Sequence, residues 1–406
     1  MKTTRRSLLK GSLLTALPAR AARPQRASPV KAGIFQELGV RSVINCRGTH
    51  TVLGASKKWP ELDAAMAEAS RSFVLLDELQ EKVGERLARL VGSEAALVTT
   101  GAAGAIALGT YACLTGTDPL KVRRLPDLSS PGARMKTEVI ILKLHRNAYD
   151  HAVRGAGVKI VEVETRAELE AAAGRETAML YYLGGTTGDW TWPAAPLPLA
   201  DCVAVGRRAG FPVLVDAANM LPPWENVRKV AATGADLIAI SGGKDMRGPQ
   251  CSGILAGRRD LIAAALLNSN PHSDSQGRPF KVGREEIVGV WLAAEKYARL
   301  DFAALDRQYH EQCEYVIDAL KKVRGLRAGY MPYERVRRIH RVYVQWDEKE
   351  AGITTAECER QLLEGTPRIA VLRHEKQGIF LTMLMAEAGD EKVVVRRLRE
   401  ILGARA

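Results

Sequence analysis

"ADLIAISGGKDMRGPQCSGILAG", residues 235–257, carries the strongest structural signal in this chain. The apolar run 235–240 is typical of a buried β-strand, and a second apolar run begins at Ser252. Between them lie two glycines, Lys244 and a polar turn closed by Gly248 and Pro249. We therefore predict that Lys244 lies on a loop at the carboxyl end of a buried strand, where glycines let the backbone pass close to a bound group.

The alternation of strand-like and helix-like segments extends outward from this stretch. Apolar runs predict strands at 95–100, 138–144, 158–163, 177–183, 212–218, 235–240 and 252–257. Continuous apolar strands separated by helices predict an α/β fold, with a mostly parallel sheet covered by helices. From about residue 301 a long helix, short strands and a final amphipathic helix predict a small α+β domain. The predicted divisions are a signal or basic tail (1–30), an amino-terminal arm (31–60), a large α/β domain (61–300) and the small domain (301–406).

Much of the net positive charge of the chain lies in its first 30 residues. The 406 residues carry a formal net charge of +13, and residues 1–30 hold seven lysines and arginines but no acidic residue. The remaining +6 is spread thinly, which is weak support for a nucleic-acid partner. The apolar and charged fractions, 46% and 26%, are ordinary for a globular enzyme, and no apolar run is long enough to span a bilayer. Six scattered cysteines lack metal-ligand spacing, so no metal site is predicted.

The first residues resemble a twin-arginine export signal. Arg5 and Arg6 precede a short apolar stretch, and "ALPARAARP" then supplies small residues suited to cleavage. This pattern predicts a periplasmic or exported protein. The alternative is a disordered basic tail on a cytoplasmic protein.

Glycine or polar residues follow four of the predicted strands. Gly101 opens a helix after the first strand, His145 follows the second, Asp216 follows the apolar residues 212–215, and Ser241 precedes Lys244. Ligands of such sheets bind outside the carboxyl ends of the strands. Together these residues match the binding requirements of pyridoxal 5'-phosphate. This cofactor is bound by a lysine that forms a covalent bond, a buried carboxylate at its ring nitrogen, a helix N-terminus at its phosphate and a flat ring that stacks on it.

Several blocks resemble fold-type-I pyridoxal-phosphate enzymes of the branch that includes bacterial selenocysteine synthase, the L-seryl-tRNA selenium transferase family, and the D-glucosaminate-6-phosphate ammonia lyases. The most specific blocks are "SGGKDMRGPQ" (241–250) and "KVGREEIVG" (281–289), and the resemblance extends from about residue 39 to the last helix. It implies the fold-type-I transferase architecture and a homodimer or larger homo-oligomer with shared active sites. It also implies that Lys244 is the Schiff-base lysine, Asp216 binds the pyridinium nitrogen and His145 stacks on the cofactor. The implied phosphate-binding residues are Gly101, Ala102, Ala103 and Ser241.

The resemblance implies a lyase or transferase that acts at the α-carbon of a small-molecule substrate, an amino acid or amino sugar acid. The first prediction is α,β-elimination of the ammonia-lyase type, which gives a 2-oxo acid. Selenocysteine synthase-like group transfer is the alternative, and racemisation and aminotransferase chemistry use the same residues. A tRNA partner is not expected, because the amino-terminal tRNA-binding domain of selenocysteine synthases is replaced here by the signal and a short arm. A cofactor-free binding protein is disfavoured because Lys244 and Asp216 are both present.

Three arginines are candidates for binding the substrate carboxylate, since a guanidinium pairs with it through two parallel hydrogen bonds. They are Arg47, Arg247 and Arg373. The resemblance favours Arg373, in "IAVLRHE" of the small domain, with a surface salt bridge as the alternative.

Overall fold

The computed structural model describes residues 33–185, 197–331, 337, 339–374 and 377–403. The chain divides into two compact units, Met1–Ser42 and Val43–Ala406. The described part of the first unit contains a short helix, α1 (Ile34–Glu37). The predicted export signal, residues 1–30, lies outside the described residues. None of the described helices is both long enough and apolar enough to cross a bilayer.

The second unit alternates helices and strands along most of its length. Its helices are α2 (Glu61–Ala69), α3 (Leu76–Val91), α4 (Gly101–Thr115), α5 (Pro119–Arg124), α6 (His151–Arg154), α7 (Arg166–Ala172), α8 (Leu199–Ala209), α9 (Glu225–Ala232), α10 (Arg259–Leu267), α11 (Arg284–Tyr297), α12 (Phe302–Leu320), α13 (Glu348–Ala351), α14 (Thr355–Glu364) and α15 (Asp390–Leu402). Its strands are β1 (Val43–Asn45), β2 (Ala95–Thr100), β3 (Glu138–Leu142), β4 (Lys159–Val163), β5 (Thr177–Leu183), β6 (Val213–Asp216), β7 (Leu237–Ser241), β8 (Ser252–Gly257), β9 (Leu326–Tyr330), β10 (Val342–Trp346), β11 (Arg368–Ala370), β12 (Leu372–Arg373) and β13 (Ile379–Leu381).

The central sheet has seven strands in the order β2-β8-β7-β6-β5-β3-β4. Strand β8 runs antiparallel to both of its neighbours, and the other pairs are parallel. The predicted mostly parallel sheet is therefore confirmed. The strand predicted at 138–144 ends earlier, at Leu142, because residues 143–145 form a 3-10 turn.

Side chains alternate between the two faces of this sheet, and both faces are buried. In β3, Ile140 and Leu142 pack into one apolar cluster, whereas Val139 and Ile141 pack into another on the opposite face. This explains why the strands are apolar without a polar alternation. Helix α4 is buried on nearly all sides, and a Cβ at Gly109 would lie 2.4 Å from a Leu214 methyl, so small residues let α4 lie close to the sheet.

The carboxyl-terminal part forms a four-stranded antiparallel sheet, β12-β13-β10-β9, packed in a third apolar cluster with α12, α14 and α15. Strand β1 of the arm pairs in parallel with β11. The sequence did not predict β9, because "LRAGY" lacks a run of apolar residues. The proposed domain boundaries at residues 30, 60 and 300 stay predictions.

Candidate active site

Three neighbouring parallel strands end at the same edge of the central sheet. In the strand register Asp216, the last residue of β6, lies beside Leu183 of β5 and Ala239 of β7. Strand β7 ends at Ser241, and Lys244 follows three residues later. The fold thus brings Lys244 and Asp216 close enough for each charge to affect the other's pKa.

The Asp216 carboxylate is buried and held from two sides. Its Oδ2 accepts a 2.8 Å hydrogen bond from the Tyr181 hydroxyl, and its Oδ1 accepts a 2.9 Å bond from the Ala218 N–H. Burial raises the pKa of Asp216, whereas these hydrogen bonds and the nearby Lys244 lower it. The carboxylate is therefore fixed in orientation. Sequence reasoning missed Tyr181, because its place in an apolar strand gave no sign that its hydroxyl meets a carboxylate.

Lys244 is half-buried, and burial lowers the pKa of its amine. The charge of Arg337 lowers this pKa further, while Asp216 and Asp245 raise it. A lowered pKa increases the fraction of neutral amine, the form that acts as nucleophile or base.

The amino end of α4 has the features of an anion-binding site. Its N-cap residue Thr100 makes no capping hydrogen bond, and the buried Thr100 hydroxyl finds no hydrogen-bond partner within the described residues. Strand β8 lies so close to the first residue of α4 that a Cβ at Gly253 would be 2.3 Å from the carbonyl carbon of Gly101. Ser241 pairs with Gly253 in the strand register, which brings the predicted phosphate residues to one place. An uncapped helix start with a spare hydroxyl fits a phosphate group.

His145 is fully buried at the end of the 3-10 turn that follows β3. Its Nδ1 accepts a 3.2 Å hydrogen bond from the Leu183 N–H, and its ring meets that of Tyr182 edge to face at 4.4 Å. Burial lowers the pKa of His145 to about 4, so the ring is neutral near pH 7. Its stacking on a cofactor stays a prediction.

The predicted arginines lie in different surroundings. The exposed Arg373 forms an ion pair with Glu359. The Arg247 Nε donates a 2.7 Å hydrogen bond to the Lys57 carbonyl, and its guanidinium carbon lies 4.0 Å from the centroid of the Trp59 ring. Carboxylate binding by either residue stays a prediction, and both guanidinium groups already contact protein groups.

Arg47 belongs to a cationic cluster, which we define as Arg47, His50, Lys244, Arg337 and Arg341. Burial lowers the pKa of His50 most, and the charges of the other four members lower it further. The Arg47 Nε is buried without a hydrogen-bond partner in the described residues. The guanidinium groups of Arg47, Arg337 and Arg341 supply most of the positive charge of this cluster, since the lowered pKa of His50 favours its neutral ring, and they suit an anionic substrate.

Arg337 is the buried member of this cluster. Its Nε donates a 2.9 Å hydrogen bond to the Leu221 carbonyl, and its guanidinium lies 3.7 Å from an Asp245 oxygen. Sequence reasoning missed Arg337, because nothing distinguishes it from the other basic residues of "ERVRRIHR".

Several known proteins are similar to this chain. The family Aminotransferase class-V matches residues 195–351. D-glucosaminate-6-phosphate ammonia lyase of Salmonella typhimurium is 33% identical over 381 residues, which cover 91% of this chain and 97% of that protein. 5'-C-glycyluridine monooxygenase-decarboxylase of a Streptomyces species is 34% identical over 381 residues, which cover 91% of this chain and 92% of that protein. L-seryl-tRNA(Sec) selenium transferase of Solidesulfovibrio magneticus is 29% identical, but the match covers 56% of this chain and 51% of that protein.

A solved structure of D-glucosaminate-6-phosphate ammonia-lyase has the same fold, with a TM-score of 0.79 and 32% identity. The match covers 92% of this chain and 99% of the solved one. The chain therefore belongs to the family of fold-type-I, pyridoxal-phosphate-dependent enzymes that includes D-glucosaminate-6-phosphate ammonia lyase.

Proposed function

We propose that this protein removes ammonia from an anionic amino acid or amino sugar acid by α,β-elimination, which leaves a 2-oxo acid. The observation that carries the proposal is the placement of Lys244, an amine of lowered pKa, beside the buried Asp216 and within the cationic cluster. The 33% identity to an ammonia lyase over 91% of the chain supports the same reaction.

The residues of the site fit pyridoxal phosphate. Lys244 would bind its aldehyde carbon, Asp216 its ring nitrogen, and the first turn of α4 with Thr100 and Ser241 its phosphate. When bound, this group withdraws electrons from the substrate's α-carbon and so makes the α-hydrogen acidic.

The side chains then have distinct tasks. The Lys244 Nζ accepts the α-proton and delivers it to a hydroxyl leaving from the β-carbon, which departs as water. A second water replaces the nitrogen, so the net products are a 2-oxo acid and ammonia. Arg337 and Arg47 bind the anionic groups of the substrate and hold its α-hydrogen toward Lys244.

Oxidative decarboxylation is a second candidate. The monooxygenase-decarboxylase relative is as similar to this chain as the ammonia lyase, 34% against 33%, with coverage above nine-tenths of both proteins. Identity alone therefore does not separate the two reactions.

A product screen separates these candidates. The holoenzyme is incubated with β-hydroxy amino acids and with amino sugar acids, and Lys244→Ala serves as the control. The assay measures the release of ammonia, 2-oxo acid and carbon dioxide and the uptake of oxygen. We expect equal amounts of ammonia and 2-oxo acid, at the same rate with and without oxygen. Carbon dioxide release that requires oxygen would favour decarboxylation. Tight, tRNA-selective binding at physiological salt would favour selenium transfer instead.

We further propose that the protein is a homo-oligomer. Phe73, Val74 and Leu75 form a run of apolar side chains that are 96%, 50% and 75% exposed in the single chain, which suits burial against a second copy. Sedimentation equilibrium tests this, and a monomer at micromolar concentration would contradict it.

Export by the twin-arginine route is a separate proposal that rests on Arg5 and Arg6. Replacing both with lysine should leave folded, cofactor-loaded precursor in the cytoplasm. Unchanged delivery to the periplasm would contradict it.

A further inference from the structure

Two segments that are distant in the sequence make several contacts beside the proposed active-site lysine. We call residues 55–59 the arm segment and residues 243–247 the lysine loop. The Ser56 hydroxyl donates a 2.8 Å hydrogen bond to the Gly243 carbonyl, and the Trp59 indole donates a 2.9 Å bond to the Met246 carbonyl. These contacts lie on either side of Lys244 in the loop.

Arg247 completes this junction from the loop side. Its carbonyl accepts a 3.2 Å hydrogen bond from the Trp59 N–H, and its Nε donates a 2.7 Å bond to the Lys57 carbonyl. Its guanidinium carbon lies 4.0 Å from the centroid of the Trp59 ring, within the range of a cation–π contact. The Arg247 N–H donates a 2.9 Å bond to the Lys244 carbonyl, so the same residue closes the turn that carries the lysine.

Backbone strain is concentrated at this junction. Among the described residues, the non-glycine residues with positive φ are Arg247, at 55°, and Ala55, at 58°. One lies in the lysine loop and the other in the arm segment. Side chains with a Cβ rarely adopt this conformation, and it persists where surrounding contacts impose it. Ala55 directly precedes Ser56, so both positive-φ residues lie at or next to the hydrogen bonds that join the two segments.

We propose that Arg247 and Trp59 clamp the lysine loop to the arm segment, and that Arg247 is a positioning residue acting through Lys244 and not a substrate-binding residue. The guanidinium holds Lys57 and Trp59, while the strained backbone of Arg247 fixes the turn from which Lys244 projects. The Lys244 amine is thereby held at one position relative to Asp216. The inference rests on the proposed role of Lys244, but the first test below is independent of any substrate.

Hydrogen exchange measures the clamp directly. In both the cofactor-free protein and the holoenzyme, the amides of Arg247 and Gly248 report opening of the loop, since they donate to Lys244 and Gly242. Arg247→Gly removes the clamp while allowing the positive φ, and Trp59→Leu removes it from the arm side. Each should speed exchange of peptides covering 242–248 about tenfold, because a cation–π contact and one or more hydrogen bonds are lost.

A matched control removes a similar contact elsewhere. Arg86 lies 4.8 Å from the centroid of the Trp291 ring, and Arg86→Ala should leave exchange of the lysine loop and turnover unchanged. Unchanged loop exchange in both Arg247→Gly and Trp59→Leu would overturn the proposal.

Kinetics distinguish positioning from substrate binding. Arg247→Gly and Arg247→Lys should both lower kcat about tenfold with KM within about twofold of wild type, because lysine keeps the charge but loses the planar donor. A raised KM with retained kcat, partly rescued by lysine, would assign Arg247 to the substrate and overturn the proposal. If the exchange result holds but no substrate is turned over, the proposed function fails and the clamp does not.

Discussion

The two ends of the strands in the central sheet differ in what they bury. Their amino ends border a groove of about 800 Å³, lined by Gly92, Gly116, Gly210 and other residues at helix ends and strand starts. Asp236 in that groove is paired with Arg258 at 3.0 Å. The carboxyl ends hold a buried carboxylate, an amine of lowered pKa and, at Thr100, a buried hydroxyl without a hydrogen-bond partner among the described residues. These buried groups, which are costly to desolvate, make the carboxyl ends the candidate functional end of this sheet.

The largest effect should come from Lys244→Ala, at the carboxyl end. Loss of the proposed base and covalent anchor should lower kcat/KM at least about a thousandfold with the fold intact, since Lys244 lies on a loop. Borohydride reduction of the wild type should fix the cofactor to the peptide that contains Lys244. Mass spectrometry that finds the cofactor on another lysine would contradict the proposed role of Lys244.

Asp216→Asn tests the buried carboxylate. Removing its charge should lower kcat about 10²–10³-fold, because a preorganised charge next to the cofactor ring is lost while the size of the side chain is retained. Tyr181→Phe removes one of the two donors to Asp216 and should have a smaller effect. Steady-state kinetics and bound cofactor are measured for both, and equal activity of Asp216→Asn and wild type would refute the role.

The pH dependence of unfolding tests whether burial of His145 at the carboxyl ends of the strands lowers the stability of the folded protein. Its folded pKa of about 4 lies below its ordinary 6.5, so between these pH values the unfolded chain binds a proton that the folded chain does not. The free energy of unfolding should therefore fall by about 3 kcal/mol as the pH falls through this window. His145→Asn keeps an acceptor for the Leu183 N–H and should flatten that dependence. Urea unfolding at several pH values measures it, and identical slopes would contradict the prediction.

Substitutions of Arg337 and Arg373 compare the contribution to kcat/KM of a buried arginine near Lys244 with that of an exposed arginine. A charge-assisted contact contributes about 1.5–3 kcal/mol, so Arg337→Lys should lower kcat/KM about 10- to 100-fold if it binds the substrate. Arg373→Ala should change it less than about threefold, since exposed ion pairs contribute little. The reverse order of effects would restore Arg373 as the carboxylate-binding residue.

The smallest effect is expected at the amino ends of the strands. Lys136 and Arg207 are exposed side chains that line the groove. Their joint replacement by alanine should leave kcat and KM within about twofold of wild type, because surface substitutions away from a site have small effects. A larger change in either constant would show that the groove communicates with the active site.

Most of the central sheet could be predicted from the sequence, because β3, β5, β6 and β7 are apolar on both faces and their signal is local. The positions of Lys244 and Asp216 could be predicted as well, since Asp216 ends one recognisable strand and Lys244 follows another. Strand β9 was missed, because its pairing with β10 compensates for a weak local signal. Tyr181 and Arg337 were missed because their partners, Asp216 and Asp245, are distant in the sequence.

Local patterns in the sequence were enough to predict the alternation of strands and helices and the placement of Lys244 and Asp216 at the carboxyl ends of strands. These follow from residue spacing and the burial preference of each side chain, which are properties of a single segment. Three features could be recognised only in the folded protein: the orientation of Asp216 by Tyr181, the position of Arg337 in the cationic cluster and the cation–π contact of Arg247 with Trp59. Each of these features depends on the distance in space between segments that are more than thirty residues apart in the sequence. Such features leave no local pattern, because a charge or a hydrogen-bond donor acts through space and not along the chain.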